Sequence, residues 1–460
     1  MPEQVTDAMQ QFGGFGPDTG PSSAGLVLLY AEGYETLPAA WPLAPVGSTV
    51  VGSGESANLR IPVHAVSRQH AELAPERGGW TLRDRRSTNG TFVDGHRVLE
   101  TRLEHGQELR FGDAILKFVS CEAEQYAGYR IDGTITGSAR RLASHPSALI
   151  GGYQMDRVAR QIELVAREGT TSPLSVLILG ESGTGKEVAA QAIHRQSGRR
   201  GEFRAINCAA LPKDLVESEL FGYRRGAFSG ALRDKPGLIR AAHRGTLLLD
   251  EIGDMSLEAQ AKLLRVLQSK ELQPLGATEA EPIDVRIIGA THRNLDQLLE
   301  LGAFRRDLYA RLNEYRIELL PLRERKEDVF MLLGAFFQRH GGADLRVTFP
   351  FMTALLHYDW PYNVRELESC AKRAAVLSDG TALDERMLPA EIRAEMQGYG
   401  QTFQPAEGSK DGAPSQAELV ALIERHQGNL AAVGRDLGKA RMQIHRWLKR
   451  YGIAIESYRK

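Results

Sequence analysis

The heptapeptide Gly180-Glu-Ser-Gly-Thr-Gly-Lys186 constrains this chain more than any other feature. It follows a β-branched, leucine-rich run at residues 175–179 and opens a helical period at Glu187. Strand, glycine turn and helix start in that order let the backbone wrap closely around an anion, with exposed N–H groups at the helix start. Lys186 adds a point charge for β- and γ-phosphates. Gly180, Glu181, Ser182, Gly183, Thr184, Gly185, Lys186 and Glu187 are therefore candidate nucleotide-binding residues. Glu187 stands where Ser or Thr commonly holds Mg2+, so the metal needs a carboxylate from elsewhere.

Residues 245–251, Gly-Thr-Leu-Leu-Leu-Asp-Glu, supply one. They read as a buried strand ending in two acids, at the end of a parallel strand where ligands bind. Asp250 is expected to bind Mg2+, and Glu251 to orient and polarise the attacking water. Downstream, Arg305 and Arg311 fall within about two turns of one helical stretch. Guanidinium suits the spread charge of a transferring phosphoryl group, although two ordinary surface arginines would show the same spacing. ATP and Mg2+ are the expected substrate and metal.

With 460 residues the chain should hold about three domains. Its net charge of −1 provides no whole-molecule field toward nucleic acid or membrane, so any such attraction must be local. The three cysteines, Cys121, Cys208 and Cys370, have neither metal-ligand nor disulfide spacing and suit a reducing compartment. Apolar runs fall far short of the ~20 residues of a membrane span. A cytoplasmic protein is expected.

Residues 1–24 read as a disordered tail and 25–121 as a first domain of short alternating runs, an all-β sandwich. Residues 122–147 read as a linker. The span 148–394 alternates strands with amphipathic helices, an α/β parallel sheet with a helical lid from about 325. Residues 395–414 read as a second linker, and 415–460 as an all-α module. In that module a helix with Leu430, Val433 and Leu437 on one face meets a turn at Gly438. A second helix follows, with Ile444, Trp447, Leu448 and Tyr451 inward. Arg441, Met442, Gln443, His445, Arg446, Lys449 and Arg450 then face outward, and no acid occurs from 439 to 450. A basic helix after a glycine turn is the pattern of a helix-turn-helix, with the first of these residues near base edges and Lys449 and Arg450 near phosphates. Dimeric or higher assembly on paired sites would raise affinity for upstream DNA.

Several motifs in one order identify a family. Residues 180–187, 203–212, 219–222, 226–231, 245–255, 286–295, 304–313 and 360–367 resemble the AAA+ ATPase domain of sigma-54-dependent enhancer-binding proteins. The resemblance implies that Asn207 restrains the catalytic glutamate. It puts Thr291 and His292 at the first sensor position, Arg305 and Arg311 at fingers acting on a neighbouring subunit, and Arg365 at the second sensor in the lid. Gly226, Ala227, Phe228, Ser229, Gly230 and Ala231 resemble the loop that touches sigma-54 of RNA polymerase. Three positions depart from the family pattern: Ser229 replaces Thr, Arg306 replaces an acid, and Tyr362 replaces a Gly before Asn363. The ring implied is a homo-oligomer, from dimer to hexamer. The last block resembles Fis-type DNA-binding domains.

The first domain resembles forkhead-associated (FHA) domains, which bind phosphothreonine peptides. Gly52, residues 66–70 (Val-Ser-Arg-Gln-His) and residues 87–91 (Ser-Thr-Asn-Gly-Thr) carry the likeness. Ser67, Arg68, Thr88 and Asn89 would line the pocket, with Gly52, His70 and Gly90 structural. Ser53 stands where the family has a phosphate-binding Arg, a role left to Arg60 or Arg68. The alternative is a domain that binds an unphosphorylated partner or its own ATPase. The expectation is a transcription activator that remodels sigma-54 polymerase with ATP, under a phosphothreonine protein or Ser/Thr kinase signal. The alternative is a DNA-binding regulator acting by occupancy, its ATPase silent or used only for assembly.

Overall fold

The computed structural model describes residues 23–133, 149–167, 173–342, 344–378, 380–397, 399–400 and 414–426. Beyond these it describes 428, 430–437, 444, 447–448, 451–453 and 458. Almost all of the expected tail, 1–22, lies outside this set. The chain divides into two compact units, the first of residues 1–130 with 399–403, the second of the remainder.

The first unit contains β1 (Gly25–Ala31), β2 (Ala40–Pro42), β3 (Thr49–Gly52), β4 (Leu59–Arg60), β5 (Ala71–Glu76) and β6 (Gly79–Asp84). It continues with β7 (Thr91–Val93), β8 (His96–Val98), β9 (Glu100–Leu103), β10 (Glu108–Phe111) and β11 (Ala114–Val119). They form one sheet of order β2-β1-β11-β10-β7-β8 and another of order β4-β3-β5-β6-β9. Pairing is antiparallel except for β3 with β4. Alternate residues face inward as strand geometry requires, and Leu26, Leu28, Leu73, Leu82, Leu109 and Phe111 join one apolar core.

Both linker boundaries differ from expectation. The segment after Cys121 begins with a helical turn, α1 (Ala123–Tyr126), whose Ala123 and Tyr126 are buried. Tyr399, expected in the second linker, stacks on Phe92 at 6.4 Å, and the Gly400 N–H donates to the Gly95 carbonyl. Both segments carry an aromatic ring that gains more from burial than a solvated linker would.

The second unit runs α2 (Tyr153–Arg167), β12 (Val176–Leu179), α3 (Lys186–Gln196), β13 (Phe203–Asn207) and α4 (Lys213–Phe221). A short pair, β14 (Gly222–Tyr223) and β15 (Lys235–Pro236), precedes β16 (Thr246–Asp250) and α5 (Leu257–Ser269). Another pair, β17 (Glu271–Leu272) and β18 (Glu281–Pro282), precedes β19 (Arg286–Thr291), α6 (Leu295–Glu300), α7 (Arg306–Leu312) and β20 (Tyr315–Glu318). The main sheet has order β13-β16-β19-β12-β20 and is parallel throughout. Its central strands are near-continuous apolar runs because helices cover both faces. β13 and β20 were not legible as strands, being mixed in polarity at the sheet edges.

The lid comprises α8 (Val329–Arg339), α9 (Phe349–His357), α10 (Asn363–Leu377) and α11 (Ala390–Glu395). The last segment holds α12 (Gln416–Arg425), opened by a Ser415–Glu418 capping box, and α13 (Leu430–Leu437). Ile444, Trp447 and Leu448 are buried with Leu430 and Val433, on the inward stripe expected of them. Arg441, Met442, Gln443, His445, Arg446, Lys449 and Arg450 lie outside the described residues.

Candidate functional site: a phosphate loop, an acidic strand end and a lid clamp

Leu179 ends β12 beside Thr291 of β19 and Glu318 of β20, so the glycine turn emerges between two neighbouring strand ends. Gly183 has φ 78°, and a Cβ there would lie 2.1 Å from the Tyr362 carbonyl. Gly185, at φ 106°, is the N-cap of α3 and supplies no side-chain cap, which leaves the first N–H groups of the helix for an anion. The buried Lys186 donates to the Gly180 carbonyl at 2.9 Å and the Glu181 carbonyl at 3.3 Å. Its Nζ also lies 3.5 Å from Glu251 Oε1. Glu187 accepts from Gln191 one turn on, at 3.2 Å.

Asp250 pairs in register with Asn207 of β13. Burial, then the adjacent Glu251, raises the Asp250 carboxyl above its ordinary value. Its buried Oδ1 has no hydrogen-bond partner among the described residues. An acid in that condition fits a hard cation such as Mg2+. Glu251 sits in left-handed backbone at φ 51°, a conformation that costs a non-glycine residue about 1 kcal/mol. It turns its carboxylate onto β19: Thr291 Oγ1 and the His292 N–H each donate to Oε2 at 3.3 Å, and His292 Nδ1 lies at 2.7 Å. Burial opposes its ionisation, but the His292 hydrogen bond and the Lys186 charge outweigh that and bring the carboxyl down to about 2.

In this structure Asn207 is bonded to Asp250, the neighbour of Glu251, rather than to Glu251 itself. Its Nδ2 donates to Asp250 Oδ2 at 3.3 Å, and its Oδ1 accepts from the N–H groups of Ala209 and Ala210. Parallel register sets Asn207 opposite Asp250, whereas Glu251 has already left the strand, so His292 and Thr291 reach it instead.

The lid grips the phosphate loop through residues that local pattern did not reveal. Arg323 makes a two-pronged ion pair with Glu181, at 2.8 and 2.5 Å. Burial disfavours the Arg323 charge, but Glu181 more than compensates and raises its pKa. Asn363, fully buried at the start of α10, donates to Glu181 Oε2 at 3.2 Å and to the Ser182 carbonyl at 3.0 Å. Its Oδ1 accepts from the Leu322 N–H at 2.7 Å. The Val364 N–H donates to the Gly183 carbonyl at 3.0 Å, and Arg365 Nη1 to Ser182 Oγ at 3.3 Å. Arg365 is thus brought to the phosphate loop. Tyr362 in place of Gly does not disturb the turn: its φ is −106°, open to any residue, while Trp360 and Asn363 carry the positive φ.

Arg305 is the N-cap of α7, and its guanidinium is turned onto Asp307 at 3.0 and 2.8 Å. Arg311 is exposed in the last turn of the same helix. Arg306 is exposed beside them. The loop 226–231 is closed by the Gly226 N–H donating to the Ala231 carbonyl at 2.9 Å. Phe228, 47% exposed, meets Tyr223 edge-on at 4.9 Å, and Leu232 beyond the loop is 86% exposed. Arg224 N–H to Leu275 carbonyl and Leu275 N–H to Gly222 carbonyl brace the loop's base.

In the first unit, Ser67, Thr88 and Asn89 converge. The Thr88 N–H donates to Ser67 Oγ at 3.0 Å, and Asn89 Nδ2 donates to the Ala65 carbonyl at 2.7 Å. Ser53 Oγ donates to the Val66 carbonyl at 2.7 Å, so it is committed to backbone. Arg60 pairs across from Gly52, and a Cβ on Gly52 would lie 2.2 Å from the Arg68 carbonyl, so both exposed arginines flank Ser53. His70 is buried: the Ser67 N–H donates to its Nδ1 at 3.0 Å, and its Nε2 donates to the Gly90 carbonyl at 3.1 Å. It is structural, as expected.

A five-stranded parallel sheet carrying a phosphate loop, an acidic strand end and a clamping helical lid defines an AAA+ ATPase domain, here behind an FHA β-sandwich. The Sigma-54 interaction domain family matches residues 150–318, the FHA domain family 49–112, and the AAA+ ATPase lid domain family 323–404. The nitrogen fixation protein VnfA of Azotobacter vinelandii is 35% identical over 443 residues, 90% of this chain and 83% of VnfA. The regulatory protein AtoC of Escherichia coli (strain K12) is 40% identical over 292 residues, 61% of this chain and 63% of AtoC. The nitrogen fixation protein AnfA of Azotobacter vinelandii is 40% identical over 319 residues, 68% of this chain. The chain spans 59% of AnfA's length. Among solved structures, NtrX from Brucella abortus in complex with ATP aligns with a TM-score of 0.50 at 32% identity, over 66% of this chain and 70% of that one. The chain belongs to the sigma-54-dependent transcriptional activators. Among the described residues no helix is long and apolar enough to cross a membrane.

Proposed function

We propose that this chain uses ATP hydrolysis to open promoters held closed by sigma-54 RNA polymerase, anchored to upstream DNA by its last segment. The observation that carries this reading is the meeting of Lys186, Glu251, Thr291 and His292 at the ends of β12, β16 and β19. The similar NtrX structure is a complex with ATP, which supports ATP as the ligand of this chain.

The chemistry follows from the contacts. The free N–H groups at the start of α3 and the Lys186 charge bind the phosphates. Burial opposes ionisation of Glu251, but the His292 hydrogen bond and the Lys186 charge keep the carboxylate ionised, the form that can accept a proton. Glu251 then orients the attacking water. Asp250 would hold Mg2+, which when bound supplies charge neutralisation at the phosphates. Arg305 and Arg311 serve the site of a neighbouring subunit in a homo-oligomeric ring, up to a hexamer, where an arginine finger is worth ~10³ to 10⁵ in rate. Thr291, His292 and Arg365 report the nucleotide state. Loop 226–231 presents Phe228 and the Ser229 hydroxyl to sigma-54, and Leu232 extends the exposed apolar tip.

Upstream DNA contacts belong to Arg441, Met442, Gln443, His445, Arg446, Lys449 and Arg450. The FHA domain reads a phosphothreonine protein, a Ser/Thr kinase or its substrate, through Ser67, Arg68, Thr88 and Asn89, with Arg60 and Arg68 supplying the charge that Ser53 lacks. The setting is cytoplasmic.

Promoter opening by sigma-54 polymerase, followed with a single-strand-specific probe, tests the reading. The full chain is expected to open the promoter only with ATP, and Glu251→Ala is expected to bind ATP and open none. Undiminished opening by Glu251→Ala would sink the motor and leave a regulator that acts by occupancy.

A further inference from the structure

Gln260, on the second turn of α5, lies outside every motif that marks the nucleotide site. Its side chain is fully buried, and all three of its hydrogen bonds go to backbone. Nε2 donates to the Met255 carbonyl at 2.9 Å and to the Ala303 carbonyl at 3.1 Å, while Oε1 accepts from the Arg305 N–H at 2.9 Å. The amide orientation is fixed by its partners, since a flipped group would set oxygen against two carbonyls and nitrogen against an N–H.

The two ends of this bridge matter. Met255 closes the turn that starts at Glu251: the Asp254 N–H donates to the Glu251 carbonyl and the Met255 N–H to the Ile252 carbonyl. Ala303 and Arg305 flank Phe304, which is buried and anchors the start of α7. A displacement of the Glu251 turn therefore carries a hydrogen-bonded load to the backbone of Arg305 through one rigid carboxamide. A second hydrogen-bonded route leaves the turn through Arg293, which donates to the Gly253 carbonyl at 3.1 Å and to Asp254 Oδ1 at 2.6 Å. It reaches the Ala303 and Phe304 N–H groups through the Leu298 carbonyl of α6. The Gln260 bridge is the shorter of the two and alone bonds the backbone of Arg305 directly.

We infer that Gln260 is a positioning residue that couples the nucleotide state of a protomer's own site to the aim of the Arg305 finger it offers to the next. This rests on the finger reading of Arg305 given above. The coupling makes each subunit's service to its neighbour depend on the geometry around its own Glu251, a physical basis for sequential firing around a ring. Gln260 touches neither nucleotide nor the reacting atoms, so it acts only through the backbone it holds.

A double-mutant cycle on the full-length assembled protein tests it. Gln260→Met keeps the length and apolar stem but removes the donors and the acceptor. Its kcat for ATP is expected to fall about tenfold, with affinity for a fluorescent ATP analogue within twofold of wild type. Arg305→Ala is expected to lower kcat at least a hundredfold. The double variant is expected to match Arg305→Ala within twofold, because a finger that is absent cannot be misaimed. A double variant tenfold slower than Arg305→Ala would overturn the coupling, as would an unchanged kcat in Gln260→Met. If Arg305→Ala itself keeps full kcat, the finger reading fails and the coupling falls with it, a result distinct from failure of Gln260 alone. Gln260→Glu, of identical shape, repeats the cycle should Gln260→Met not fold. If neither variant folds, Gln260 is a structural clamp and the inference is refuted.

Discussion

His292 Nδ1 lies 2.7 Å from Glu251 Oε2, and this contact, rather than one from Asn207, holds the acid that follows the end of β16. The imidazole is the foremost of the contacts that lower the Glu251 carboxyl. Removing it leaves the carboxylate held only by the longer contacts from Thr291 Oγ1, the backbone N–H of residue 292 and Lys186. For His292→Ala we expect kcat for ATP to fall about tenfold with the dissociation constant of ATP within twofold, while Glu251→Gln falls ~10² to 10⁴ as a lost general base should. Steady-state hydrolysis beside equilibrium nucleotide binding separates these effects. A His292→Ala variant as fast as wild type would show that the contact does not position the acid.

The Arg323–Glu181 ion pair joins lid to phosphate loop across 142 residues of sequence. The Arg323 side chain is 14% exposed and that of Glu181 30%, so the pair is only partly solvated. Arg323→Ala leaves Glu181 part-solvated and still bonded to Asn363, so it should destabilise the ATPase domain by only about 1 to 2 kcal/mol and weaken ATP binding about tenfold. Exchanging the pair, Glu181→Arg with Arg323→Glu, should recover part of the melting temperature lost by either single change. Wild-type melting and binding in Arg323→Ala would remove the clamp from the account.

Ser53 already donates to the Val66 carbonyl and has no charge to offer a phosphate. A charge-assisted contact is worth about 1.5 to 3 kcal/mol, so Ser53→Arg should tighten binding of a degenerate phosphothreonine peptide library about ten- to a hundredfold. Asn89→Ala should abolish binding in either background. Fluorescence anisotropy reads both, and a Ser53→Arg protein with unchanged affinity would place the phosphate elsewhere.

His70 is buried, and that burial lowers its pKa below 6.5 despite the opposing pull of the Gly90 carbonyl and Asp84. The unfolded chain therefore takes up a proton first as pH falls, so the stability tied to neutral His70 is complete above about pH 6.5 and declines below it. The melting temperature of the first domain, followed in the full chain, should drop between pH 7.5 and 5.5. His70→Asn should start lower and show a shallower drop. Equal slopes in the two proteins would assign the pH dependence to another group.

The phosphate loop, the acidic strand end and many strands of the sandwich and of the parallel sheet were legible because their signals are local. Val176–Leu179 needs only its apolar run and the glycines that follow, and Glu108–Phe111 only its alternation. Ser67, Thr88 and Asn89 were legible as a set through their family spacing, and they do converge. That Asn207 meets Asp250 rather than Glu251 was not legible, since it depends on parallel register between β13 and β16 and on the left-handed turn at Glu251. Neither is encoded in a window of a few residues. Gln260 and Arg323 read as ordinary helical and loop polar residues until the chain is folded.

The sequence alone determined most element types, the presence of a phosphate-binding turn beside paired acids, and the class of the FHA and ATPase domains, because backbone preference and side-chain periodicity act over one or two turns. Tertiary structure decided which group holds which. His292 rather than Asn207 meets Glu251, Arg323 and Asn363 seize Glu181, Gln260 spans Met255 and Arg305, and Tyr399 joins the sandwich rather than a linker. These partners come from different elements, and a hydrogen bond changes partner over an ångström or two. Their choice therefore follows from sheet order, register and lid placement, which the whole chain fixes together.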